Sequence, residues 1–213
     1  YFGTGKYFET GDNTTTNVQS MYGVVDSGSA FTGTNHRTQL QQQTIVYEST
    51  AVGNRDRVMS DNAVDYSTQE GWFIDLLTPP STANGERVIS APRLFGGKLL
   101  FQTIIPSVSP CDYGGASWLM SVNPATGGRL QVASFDVNGD GLFDSNDQIN
   151  IGGGVMANVS GVDSGVGISG GFGAPISAGS AAYVPLGGTA GTLGATGISS
   201  GTLKSRASWR QIQ

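Results

Sequence analysis

The chain has 213 residues, enough for one domain of ordinary size, and its 38% hydrophobic content supports a packed core. Charged residues make up only 13%, the net charge is −5 and no run of Lys or Arg occurs, which excludes the basic footprint of a nucleic-acid or anionic-lipid binder. No stretch approaches the roughly 18 apolar residues of a membrane-spanning helix, and 33 glycines among abundant Thr, Ser and Asn point to an extracellular all-β protein.

The chain opens on YFGTGKYF, with neither an initiator Met nor a signal peptide, and is read as a fragment of a longer precursor. Short runs of β-branched and aromatic residues, bounded by Gly, Pro, Asn or Asp, then predict strands at Tyr1–Phe2, Met21–Val25, Gln43–Tyr47, Trp72–Leu76, Glu86–Ile89, Lys98–Ile105, Trp118–Val122 and Arg129–Ser134. No segment carries helical periodicity. The last two runs, joined by Asn123–Gly128, read as a hairpin, because Asn, Pro and Gly supply the fixed and positive φ angles of a tight turn. Such strands suit a sandwich or a propeller blade.

Two side chains invite a catalytic reading, and neither sustains it. Cys111 has no second cysteine to pair with inside the chain, so it is either a leftover whose partner lies elsewhere or a free thiol. His36, the only histidine, sits in the polar run FTGTNHRTQLQQQ, so nothing nearby would activate the thiol.

The stretch FDVNGDGLFDSNDQIN, residues 135–150, is where chemistry concentrates. With Asp136 at position 1, Asn138 falls at 3, Asp140 at 5, Gly141 at 6, Leu142 at 7, Asp144 at 9 and Asp147 at 12. That is the spacing of an EF-hand-type loop, in which alternate residues of a tight turn aim oxygens at Ca²⁺, position 7 offers its main-chain carbonyl, and Gly at 6 permits the bend. Asp147 departs from the pattern, which ends in Glu, and is expected to coordinate more weakly. The competing reading is a surface array of Asx turns joining two strands. Four carboxylates in twelve residues repel one another without a cation, which favours the metal. Zinc would want Cys or His, and magnesium fewer protein ligands. Because a strand and not a helix precedes Asp136, this is expected to be a single calcium loop on a β-scaffold, with a short helical turn beginning near Ser145.

Beyond the loop the composition shifts, with 16 glycines between Gly152 and Gly201. Scattered apolar residues such as Val159, Ile168, Phe172, Val184 and Leu186 favour long irregular loops packed on the rest over a free linker. The ending KSRASWRQIQ reads as a last strand.

Taken in order, YFGTGKYF, QSMYGVVDSG, GWFIDL with GERVIS, LLFQTIIPSVSPCDYGGASWLMSVNPATGGRL, the acidic loop and SWRQIQ resemble the C-terminal region of the PilY/PilC-type tip adhesins of bacterial type IV pili. The resemblance implies a modified β-propeller, of which residues 1–135 would be partial blades, 136–147 the calcium loop, 148–203 a Gly/Ser/Ala-rich irregular segment and 204–213 a terminal strand. It further implies a secreted, non-catalytic protein at the pilus tip on the cell surface. Calcium would regulate pilus extension and retraction there. Its partners would be minor pilins, a host or abiotic surface ligand and the N-terminal remainder of the precursor. The family's metal ligands fall on Asp136, Asn138, Asp140 and Asp144, with Asn138 in place of an acid; the Gly-rich stretch matches nothing in this resemblance. Two other classes stand beside this one. They are a structural or filament-forming β-module and a quinoprotein-like propeller enzyme, to which the SVNPATGGRL turn bears some likeness.

Overall fold

The structure is a computed structural model that describes residues 1–28, 35–49, 55–109, 115–164, 169–188 and 193–201. Among these residues the fold is all-β, with four sheets and no α-helix; its only helical pieces are short 3-10 turns such as His36–Gln39 and Ser145–Asp147.

The first sheet runs β1 (Phe2–Gly3), β2 (Ser20–Val24), β6 (Gly71–Asp75), β3 (Gln41–Gln43), with β3 parallel to β6 and the other pairings antiparallel. The central sheet has six strands in the order β4 (Ile45–Glu48), β5 (Asp56–Met59), β12 (Gly161–Asp163), β9 (Gly115–Val122), β8 (Lys98–Pro106), β7 (Arg93–Phe95). A third sheet pairs β15 (Ala181–Gly188) with β13 (Ser169–Phe172), β14 (Ile176–Ala178) and β16 (Leu193–Ser199). A small hairpin, β10 (Gln148–Asn150) and β11 (Met156–Asn158), completes the set.

Alternation along the central strands explains the stacking. Leu99 and Phe101 of β8, with Trp118, Met120 and Val122 of β9, face a first core shared with Met21, Trp72 and Ile74 of the first sheet. Leu100 and Leu119 face a second core with Phe135, Phe172, Ala182, Val184, Leu186 and Ile198. A strand covered on both faces needs apolar residues in succession, which is why Leu99–Phe101, Ile104–Ile105 and Trp118–Met120 are consecutive apolar residues. Each fully buried Leu or Phe contributes about 1.5–3 kcal/mol.

Three sequence expectations are corrected here. Arg129–Ser134 is not a strand and Trp118–Ser134 is not a hairpin. The turn itself forms, Asn123 accepting from the Gly127 amide and donating to the Gly128 carbonyl. The second arm then leaves, because β12 occupies the flank of β9, with Val162 opposite Leu119. Glu86–Ile89 is likewise no strand: only Arg87 bridges Ile104, and the charged side chains of Glu86 and Arg87 are buried. Third, the segment expected to be irregular carries strands β10 to β16. Its glycines stand opposite larger residues, Gly194 facing Leu186 and Gly197 facing Tyr183 across β15 and β16. The buried positions Ala182, Val184 and Leu186 recur every second residue, so the strand period is present beneath a linker-like composition. The terminal strand expected at 204–213 and Cys111 lie outside the described residues.

Candidate metal centre

The acidic loop is tied to the second core at both ends. Before it, Phe135 is buried there and forms a bridge with Ile198 of β16; just inside it, Val137 packs against the same cluster. After it, Ile149 of β10 does likewise, and the β10–β11 hairpin then leads into β12 at the middle of the central sheet.

Within the loop, Gly139 (φ 78°) and Gly141 (φ 80°) adopt the left-handed conformation that the two sharp bends require. Asp136 sits inside the bends. Its Oδ1 accepts from the Gly139 amide at 2.7 Å and its Oδ2 from the Gly141 amide at 2.9 Å. Asn138 Oδ1 accepts from the Asp140 amide (2.9 Å), Asp140 Oδ1 from the Leu142 amide (2.8 Å), and Asp144 Oδ1 from the Asn146 amide (2.7 Å). The backbone is therefore held by a chain of Asx turns.

The 3-10 turn expected near Ser145 is present as Ser145–Asp147, with Asp144 as N-cap in a reciprocal capping box with Asp147. Asp147 differs from the other acids. It is 1% exposed; its Oδ1 accepts from the Val137 amide at 2.8 Å and its Oδ2 from the Asp144 amide at 2.9 Å. Its carboxylate thus clamps the start of the loop to its end.

The sequence-predicted ligands accordingly fall into two groups. Asp136 is half-buried, and Asn138, Asp140, Leu142 and Asp144 are exposed, all on one twelve-residue turn; Asp147 is inside. Their carboxylates do not converge: among the described residues no three His, Cys, Asp or Glu side chains gather as a metal would need. The donor set is nevertheless the right chemistry for a hard cation. Every candidate is an oxygen, and each carboxylate oxygen that accepts one amide keeps a second lone pair. The amide bonds also aim Asp136 toward the concave side of the bends. Asp147, buried and bonded through both oxygens, fits the terminal bidentate role least.

Sequence reasoning missed the charged residues that the fold buries. Arg57, Glu86, Arg87 and Lys98 are all nearly or wholly inaccessible. The signal was a charge set inside an apolar strand, as in GGKLLF and DRVM. Burial lowers the Lys98 pKa from its usual value near 10.5.

No family model matches the chain. A Xylella fastidiosa protein named as a homolog of type IV pilus biogenesis factor PilY1 is 36% identical over 215 residues, covering 100% of this chain and 16% of that protein. PilY1 of Pseudomonas aeruginosa strain PAO1 is 36% identical over 163 residues, 68% of this chain and 14% of its own length. The crystal structure of the Pseudomonas aeruginosa PilY1 C-terminal domain superposes with a TM-score of 0.75 at 26% identity, over 94% of this chain and 41% of that one.

The chain is a homologue of the PilY1 C-terminal domain. It spans about one-sixth of the length of the Xylella PilY1 homolog. That alignment runs through the Gly-rich stretch for which the resemblance had no counterpart. The PilY1 relatives are named as biogenesis factors of a pilus and not as enzymes. Among the described residues no helix is long and apolar enough to cross a membrane.

Proposed function

We propose that this chain is a calcium-binding, non-catalytic part of a PilY1-type pilus protein, acting at the cell surface in the control of pilus assembly and retraction and in adhesion. The observation that carries the calcium reading is the twelve-residue oxygen spacing on a loop tied to the second core at both ends. Asp136, Asn138, Asp140, the Leu142 carbonyl and Asp144 would hold the ion, and Asp147 would order the loop around it. The ion supplies positive charge to offset four carboxylates. Its binding free energy would go into fixing the loop that delivers β12 to the central sheet.

The three face-to-face sheets are read as successive blades of a propeller whose other blades belong to the N-terminal remainder of the protein. Minor pilins at the pilus tip and a host or abiotic surface are the partners this reading names; the names of the relatives support the pilus and no residue here selects the surface.

Calorimetric titration of the chain with CaCl₂ tests the metal claim. Saturable binding that is lost in the double variant Asp136→Ala/Asp140→Ala supports it. Absence of binding, or binding unchanged by the double variant, removes it.

A further inference from the structure

The structure assigns a second site, a pocket for a small carboxylate with an apolar tail, built around Lys98 at the junction of the central and third sheets. An open pocket of about 410 Å³ lies between the β7–β8 turn, the 130–133 segment, the acidic loop and the end of β16. Its walls are apolar where Leu130, Val132, Ala133, Leu142 and Phe143 line it. Lys98 lines the same pocket and is only 2% exposed.

Among the described residues the Lys98 ammonium is held by a single residue. Nζ donates to the Ser199 carbonyl at 2.7 Å and lies 3.4 Å from the Ser199 hydroxyl. A lysine ammonium has three donors, and both acceptors belong to one residue. Among the described residues no carboxylate lies within ion-pair distance of it, whereas the buried Arg57 has Glu86 and Glu48. A buried charge without a counter-ion is costly, and an anion in the pocket would remove that cost. Strand alternation places Lys98 on the Leu100 face of β8, toward the third sheet, so an anion reaching it must pass the apolar walls. That combination selects a carboxylate carrying a short hydrocarbon over a fully hydrated anion such as phosphate.

The rim is preformed. A Cβ on Gly96 would fall 2.4 Å from the Ser200 carbonyl oxygen, and one on Gly201 2.3 Å from that of Gly96, so the β7–β8 turn and the chain after β16 meet backbone to backbone. The polar end of the pocket, Lys98 and Ser199, lies outside the metal set; the two sites share only Leu142, which would give its carbonyl to the ion and lines the apolar wall here.

Titration of the whole chain with sodium hexanoate, 1-hexanol and inorganic phosphate tests the assignment. Hexanoate is expected to bind saturably and at least tenfold more tightly than either of the others. Lys98→Met, which keeps the stem and removes the charge, is expected to lose that preference. Val132→Asp, at a 63% exposed position on the wall where folding is not at stake, should weaken hexanoate at least tenfold by repulsion. The assignment is overturned if hexanoate does not bind the unaltered chain, if hexanol or phosphate binds as tightly, or if hexanoate affinity survives both variants.

Discussion

Arg57 grips Glu86 fork to fork, Nη1 to Oε1 at 2.5 Å and Nη2 to Oε2 at 2.8 Å, with both side chains fully buried. The guanidinium lies 3.9 Å from the centre of the Trp118 ring, and its Nε donates to Glu48 at 2.9 Å. The pair joins β5 to the segment before β7. Arg57→Met alone should destabilise the fold by about 3–5 kcal/mol, because it strands Glu86 in the interior, and Glu86→Gln by less, because Arg57 keeps Glu48. The double replacement Arg57→Met/Glu86→Leu should recover most of that loss. Urea unfolding of the three variants checks both statements.

Asp147 and Asp140 should part company in a chelator. Asp147→Ala removes a buried carboxylate and leaves the part-buried Val137 and Asp144 amides without their acceptor, which costs about 1–3 kcal/mol whether or not calcium is present. Asp140→Ala removes only exposed hydrogen bonds, those from the Leu142 amide and the Asn138 side chain, so with EGTA its melting temperature should fall much less than that of Asp147→Ala. With added calcium its deficit against the unaltered chain should widen. Thermal melts with EGTA and with CaCl₂ read the difference.

Trp72 is held between two glycines. A Cβ on Gly23 would lie 2.3 Å from its Cε2, and one on Gly127 2.3 Å from its Cε3, while its indole N–H donates to the Pro124 carbonyl at 3.0 Å. Gly127→Ala adds the cost of an L-residue at φ 71° to the overlap with the ring, together about 2–4 kcal/mol. Gly179→Ala, at φ 66° but with open space around it, should cost only about 1–2 kcal/mol. Chemical denaturation of the two variants separates the ring contact from the backbone.

Lys98 should weigh on stability at neutral pH. Burial lowers its folded pKa below 10.5, so between those two values the unfolded chain binds more protons than the folded one and stability rises with pH. Below the folded pKa the full penalty applies. Lys98→Met should therefore raise stability near pH 7 by about 1 kcal/mol and flatten the alkaline rise. Denaturation midpoints from pH 7 to 11 would register both effects.

Much of this was written in the chain. Consecutive apolar residues in β8 and β9, Leu99–Phe101 and Trp118–Met120, announce strands covered on both faces, and the Asp/Asn/Gly spacing from Asp136 locates the acidic turn with its 3-10 continuation at Ser145. What stayed hidden was long-range. Nothing local in Arg129–Ser134 reveals that Val162 will take the place beside Leu119, since pairing of distant strands is decided by which edge is free. Nor does composition reveal that Gly194 and Gly197 serve a sheet, because only the partner strand shows the Leu186 and Tyr183 they face. Asp147 was legible as an oxygen and not as a clamp; its two amide partners sit at the far end of the turn and at the N-cap.

The position of β12 has a kinetic consequence. Gly161 pairs with Arg57 on one side and Met120 on the other, so the central sheet cannot zip up in the order in which the chain is made. Until residue 161 arrives, the β4–β5 hairpin and the flank of β9 are bare edges, open to pairing with other chains. The acidic turn and the β10–β11 hairpin lie just upstream of the strand that closes both, so how fast they settle bears on how long a newly made chain keeps those edges open.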